Sequence, residues 1–190
     1  RKPSQNIPEK AVIEAQAAHP WVSRGGMKLA HALEVFGVSA KDRVCLDVGA
    51  STGGFTDVLL SRGAAKVYAV DVGRDQFHWK LKGHPRVVSM ESTDARDLTP
   101  GMFDPPYDLI VCDSSFISVM KVLERSLSLA SEGSQLVTLV KPQFEVGRDN
   151  IGRGGIVKEN GSAGQALIDV KDWLSRKDWS VNAETVSPIK

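Results

Sequence analysis

The sequence predicts an α/β domain built on a Rossmann-like, mostly parallel, doubly wound sheet. Three observations carry this. Short apolar runs alternate with amphipathic helical stretches along most of the chain, the pattern of a parallel sheet covered on both faces. One run, Val44-Cys45-Leu46, passes through Asp47 into a small-residue loop, Gly49-Ala50-Ser51-Thr52-Gly53-Gly54, and then into a helical pattern carrying Phe55, Val58 and Leu59. A buried strand, a glycine turn and a helix N-terminus make a nucleotide-type binding corner. Finally, the strands end on charged residues, Asp47, Asp71, Asp113 and Lys141. Handed crossovers bring such ends to one edge of the sheet, where open α/β sheets bind ligands.

Taken in order, Arg1 to His19 is polar, contains Pro3 and Pro8, and reads as a tail; Pro20-Trp21-Val22 makes an extended joint. Residues 1–22 are therefore expected to be a tail and interdomain linker, and residues 23–190 one domain. Ser23 suits the N-cap of a helix with Leu29, Leu33 and Phe36 on one face and Gly37 as its stop. Arg24 and Lys28 lie near the start of that helix, where cations oppose the helix dipole; they are either solvated surface charge or face an anion. Strands are expected over Arg43–Val48, Lys66–Val72, Arg86–Met90, Tyr107–Asp113 and Gln135–Lys141, the last closed by Pro142. A helix follows the first strand to about Arg62, and an amphipathic one spans Phe116–Ala130. Gln143–Gly161 reads as a long glycine-rich loop, followed by a helix over Ala163–Lys177 and a strand around Trp179–Val186. The stop at Ser187-Pro188-Ile189-Lys190 is abrupt for a sheet domain, so a further C-terminal element is expected.

Composition narrows the function classes. With 190 residues, 42% of them hydrophobic and 25% charged, the chain can bury a core of its own. A net charge of +1 leaves RNA open as a partner, because binding needs only a local basic face. Cys45 and Cys112 each sit within an apolar run and read as reduced core thiols, and no His/Cys cluster has zinc spacing. No apolar run approaches the ~20 residues that span a bilayer and no signal peptide opens the chain, so a cytoplasmic protein without membrane insertion is expected.

The glycine loop discriminates among cofactors. A nicotinamide or flavin site would carry G-x-G-x-x-G, but the middle glycine is missing, and no Gly-Lys-Ser/Thr closes the turn as in a Walker loop. The pattern D-x-G-x-x-x-G-G suits S-adenosylmethionine, which has no phosphate. Asp47 could hold its ammonium group directly or through water, Asp71 its ribose hydroxyls and Asp94 its adenine amino group. Gly49, Ser51, Gly53 and Gly54 would form the loop around it. Each aspartate taken alone reads equally as a cap or turn residue.

The segments SRGGMKL (Ser23–Leu29), DVGASTGGFTDVLL (Asp47–Leu60), YAVDVG (Tyr68–Gly73), CDSSFIS (Cys112–Ser118) and VKPQFEVGR (Val140–Arg148) resemble the TlyA, or hemolysin-A-like, family within the FtsJ-like ribosomal RNA 2′-O-methyltransferases. The likeness runs from about Trp21 to the end. It implies an S-adenosylmethionine-dependent methyltransferase fold, ribosomal RNA or ribosomal subunits as partner, and a Lys-Asp-Lys-Glu tetrad. By motif, Lys28, Asp113 and Lys141 supply the first three members. The glutamate lies beyond the SPIK segment in relatives, and neither Glu145 nor Glu184 matches its motif. An RNA-binding domain precedes the catalytic domain in the family, joined by an Arg-x-Trp-Val-like linker; here that linker reads His19-Pro20-Trp21-Val22, without the arginine.

The residue types suit the reaction. A ribose 2′-hydroxyl must lose its proton as it attacks a methyl group, and only a neutral lysine can accept it, a state favoured by a nearby like charge and partial desolvation. Lys141 is assigned as base, Asp113 as its orienter and Lys28 as a second cation toward the substrate; the plainer alternative is that Asp113 and Lys141 form an ordinary ion pair. Arg24, Arg74, Lys80, Lys82, His84, Arg148 and Arg153 are candidate phosphate contacts, each equally readable as solvated surface. Three competing functions are a membrane-active hemolysin, a small-molecule methyltransferase, and a cofactor-holding RNA-binding domain without catalysis.

Overall fold

The computed structural model describes residues 19–147, 152 and 162–189. Among them, five strands form one all-parallel sheet: β1 (Val44–Val48), β2 (Lys66–Val70), β3 (Val87–Met90), β4 (Leu109–Cys112) and β5 (Gln135–Thr138). The order β3-β2-β1-β4-β5 puts the reversal of direction beside β1, at the strand that feeds the glycine loop. Helices α1 (Gly25–Phe36) and α2 (Gly54–Ser61) cover one face; α3 (Val119–Ser128) and α5 (Ser162–Ser175) cover the other. The expected Rossmann-like architecture is the observed one.

The two cores follow from the period of a strand. Cys45, Val67, Ala69, Leu109 and Val111 point toward α1 and α2, where they meet Leu29, Leu33, Phe55, Val58 and Leu59. Leu46, Val48, Tyr68, Val70, Ile110 and Cys112 point the other way and meet Val122, Leu123, Leu127, Val170 and Trp173. Both faces are buried, which is why the strands read as continuous apolar runs. Cys45 and Cys112 are free and buried, and burial pushes the Cys45 thiol up to about 12. At the opposite end from the charged strand termini, Arg43 ties three strands: it bonds the Asp108 carbonyl and the Gln135 side chain and lies 3.2 Å from Asp108 Oδ2.

Register decides where the functional side chains lie. Val48 sits opposite Val70 on one side and Cys112 on the other, so Gly49, Asp71 and Asp113 leave the sheet abreast. The stop of α1 at Gly37, in the left-handed region at φ 64°, matches the sequence pattern, whereas α3 starts at Val119 rather than at the expected Phe116, because Ser118 caps it.

Three local expectations differ. Ser23 does not cap α1; the helix begins at Gly25, flanked by Arg24, with no side-chain cap, because the Ser23 hydroxyl is packed toward Gly54. One helical turn, α4 (Pro142–Glu145), opens the stretch read as loop, with proline at a first-turn position that needs no N–H. The segment Trp179–Val186 forms no strand: beyond Trp179 its backbone makes no ladder with any described strand, and β-branched residues alone do not make a strand without a partner.

Leu123 is fully buried at the centre of the α3 face. Leu123→Ala is expected to lower stability by about 2–5 kcal/mol, read as a shift of the urea-unfolding midpoint at unchanged m-value.

Candidate functional site

The glycine corner is shaped by contacts beneath it. Gly49 and Ala50 amides both donate to the Val70 carbonyl, turning the chain at the end of β1. Ser51 takes φ 48°, and Asp71 Oδ2 accepts its amide at 2.8 Å. Gly53 lies at φ 93°, and a Cβ there would come within 2.5 Å of Leu81. A Cβ on Gly54 would lie 2.2 Å from Ser23 Oγ and 3.0 Å from the Gly26 amide, so the N-termini of α1 and α2 abut.

Against this corner lies a cleft of about 290 Å³ that brings Gly49, Ser51 and Gly54 together with Lys28, Asp113 and Lys141. Asp113 stands just past β4, Lys28 one turn into α1, and Lys141 at the head of α4. Lys28 Nζ donates to Asp113 Oδ2 at 3.0 Å. Lys141 Nζ lies 2.6 Å from Asp113 Oδ1, an ion contact rather than an aligned hydrogen bond, and donates to Ser115 Oγ at 2.8 Å. Two ammonium groups on one carboxylate leave this trio with a net positive charge. All three side chains are largely but not wholly buried, so they remain within reach of a substrate and are poorly screened.

The aspartates separate by environment. Asp47 is 1% exposed. Its Oδ2 accepts from Thr56 Oγ1 at 2.7 Å, while its Oδ1 is buried without a partner. Desolvation raises its carboxyl to about 7, against the opposing Thr56 bonds. Asp71 is already engaged, accepting from the amides of Ser51 and Gly73, and so shapes the loop. Asp47, Asp71 and Asp94 all stand outside the cleft lining; Asp94 caps a short 3₁₀ turn by accepting the Arg96 amide and pairs with the Arg96 guanidinium, which holds its carboxyl below the usual range. Gly53 also stays out of the lining and serves to pack Leu81 and Phe77.

The basic candidates scatter. Arg24 is exposed beside the cleft. Lys80 lies over the ring of Trp79, itself 76% exposed and stacked on His78, whose amide donates to Thr52 of the glycine loop. Lys82 is paired with Glu91 and Asp75, and Arg74 with Asp75. His84 Nδ1 accepts the Arg86 amide. Arg148 and Arg153 lie outside the described residues.

Two neighbours of the lysine–aspartate trio escaped the sequence reading. Ser115 meets Lys141. Phe116 is 92% exposed at φ 67° and tilts against Phe144 with ring centroids 5.3 Å apart. A left-handed conformation is uncommon for a bulky residue, and here it follows directly on the strand end that carries Asp113. The sequence signal was the aromatic after Asp113-Ser114-Ser115; its backbone angle is invisible there. Among the described residues, no group of three His, Cys, Asp or Glu could hold a metal ion, and no helix is long and apolar enough to cross a membrane. A hollow of about 520 Å³ beside α5 and Trp179 contains none of the strand-end residues.

Residues 21–190 match the family of FtsJ-like methyltransferases. Over 177 residues the chain is 47% identical to the 16S/23S rRNA (cytidine-2′-O)-methyltransferase TlyA of Mycobacterium tuberculosis, covering 93% of this chain and 66% of that one. It is 42% identical to Hemolysin A of Brachyspira hyodysenteriae, covering 94% of this chain and 75% of that protein. A solved hemolysin-like chain from Streptococcus thermophilus superposes with a TM-score of 0.88 at 44% identity, covering 93% of this chain and 64% of that one. The chain thus spans about two thirds of the length of the tuberculosis protein. A ribosomal protein L11 methylase from Lactobacillus delbrueckii, at 15% identity, TM-score 0.59, 87% of this chain and 74% of that one, shares the fold.

Asp47 generates a stability prediction. Its folded value, about 7, stands above the ordinary 3.8, so its contribution is fully present below pH 3.8 and is lost as pH rises through about 7. Between pH 6 and 8 the ligand-free protein is expected to lose on the order of 1 kcal/mol from this group, and Asp47→Asn is expected to abolish that slope. Urea unfolding of both proteins across that range measures it; parallel slopes would refute the assignment.

Proposed function

The chain belongs to the FtsJ-like methyltransferase family, and from that premise we propose that it transfers a methyl group from S-adenosylmethionine to a ribose 2′-hydroxyl of ribosomal RNA. The observation that carries this reading is the Asp113 carboxylate held by two lysines at the rim of the glycine corner. The substrate class comes from the tuberculosis relative, named for 2′-O-methylation of cytidine in ribosomal RNA.

The residues fit the cofactor. The unpartnered Asp47 Oδ1 suits an ammonium group, directly or through water. Gly49, Ser51 and Gly54 leave room at the cleft floor, and Asp71 retains lone pairs for ribose hydroxyls while fixing the loop. S-adenosylmethionine supplies an electrophilic methyl on a sulfonium. Asp94, committed to Arg96, is left out of this assignment.

Lys141 serves as the base that takes the 2′-hydroxyl proton. It must be neutral to do so. Asp113 aims both amines, and Ser115 can accept from the ammonium or donate to the neutral amine. Lys28 then offers the remaining positive charge to the substrate. The exposed ring of Phe116 gives the target base a face to stack on, worth about 1–3 kcal/mol in such contacts. Arg24 and Lys80, exposed and without ion-pair partners among the described residues, are the phosphate contacts assigned to the approach surface, and Lys82 contributes once released from Glu91.

Lys141→Ala is expected to slow tritium-methyl transfer to ribosomal RNA by about 10²-fold or more while S-adenosylmethionine affinity by calorimetry stays within about twofold. Transfer at the wild-type rate would remove the base, and absence of cofactor binding by the wild-type protein would remove the reaction class.

A further inference from the structure

Glu145 ends the single turn α4, four residues after Lys141. Its Oε2 accepts from Ser118 Oγ at 2.6 Å and its Oε1 from the Val119 amide at 2.9 Å. Ser118 in turn caps α3, its Oγ accepting the Met120 amide at 3.2 Å. The carboxylate therefore closes the N-terminus of a ten-residue helix, where negative charge is favoured. It also joins two segments distant in sequence: the turn that carries Lys141 and the loop that carries Asp113, Ser115 and Phe116.

That joint has three contacts. Lys141 meets Asp113 and Ser115, Phe144 meets Phe116, and Glu145 meets Ser118 and Val119. The first depends on the charge of Lys141 and weakens when the amine is neutral, the state in which it can act as base. The second involves a ring that is 92% exposed. Only the third uses groups that neither exchange a proton nor face a substrate. We propose that Glu145 is a positioning residue: bonded to Ser118 and the Val119 amide, it holds the Lys141 turn on the Asp113 loop while Lys141 is uncharged. The inference rests on Lys141 being the base.

The test is methyl transfer to ribosomal RNA by the full-length protein. Glu145→Ala is expected to lower kcat about 10- to 100-fold, with KM for RNA and Kd for S-adenosylmethionine within about twofold, because misplacement by a fraction of an ångström acts on the rate. Glu145→Gln keeps a carbonyl for the Val119 amide and an amide group for Ser118, and is expected to recover most of that rate. Ser118→Ala should lower kcat less than Glu145→Ala and add nothing to it in the double variant, which supplies a readout even if Glu145→Ala folds poorly. A wild-type kcat in Glu145→Ala, an equal loss in Glu145→Gln, additive losses in the double variant, or a loss that tracks cofactor affinity would each overturn the proposal. Lys141→Ala measured alongside separates the two claims. Wild-type transfer there removes the base and the latch with it; wild-type kcat in Glu145→Ala with Lys141→Ala inactive removes the latch alone.

Discussion

One carboxylate organises the site. Asp113 accepts Lys28 on one oxygen and contacts Lys141 on the other, and these three residues come from the first helix, the fourth strand end and the turn after the fifth. No local propensity places them together; the parallel register does, by aligning the ends of β1 and β4 and laying α1 across them. The trio is costly in isolation, since two like charges are crowded into a partly desolvated cleft. Removing the aspartate would leave both ammonium groups uncompensated, a situation that typically costs about 3–5 kcal/mol for fully buried pairs and less at this exposure.

The same tension recurs beneath the glycine loop. Asp47 is buried with one oxygen bonded to Thr56 and the other to nothing, although the fold would be quieter with an apolar residue there. A buried acceptor without a protein donor has a lone pair open to a donor from outside the chain. Asp71 shows the opposite solution: it stabilises the positive φ of Ser51 by accepting its amide, so the loop is rigid before anything binds. Together they make a preformed floor with one unmet polar demand.

Much of this was legible in the sequence, for identifiable reasons. Strands buried on both faces leave near-continuous apolar runs, and residues at their C-terminal ends stand out by charge; that is how Asp47, Asp71, Asp113 and Lys141 were found. The motif resemblance then joined Lys28 to Asp113 and Lys141, and the geometry brings these three within contact. What stayed hidden depends on tertiary partners. Asp94 is absorbed by Arg96 and Lys82 by Glu91, pairings that spacing does not reveal. Ser23 looks like a cap but packs its hydroxyl toward Gly54. Trp179–Val186 has strand composition yet no ladder. Glu145 failed the motif for a catalytic glutamate, and its contacts with Ser118 and Val119 lie more than twenty residues away in sequence.

The close approach of Gly54 to Gly26 has an electrostatic consequence. Two helices begin within contact of each other, and each presents a partial positive charge at the same spot. The cleft thus carries a positive potential that belongs to the backbone as well as to its lysines. Such a background attracts carboxylate and phosphate groups. An alanine at position 54 would do more than crowd a serine: it would push the two dipoles apart and weaken that backbone field.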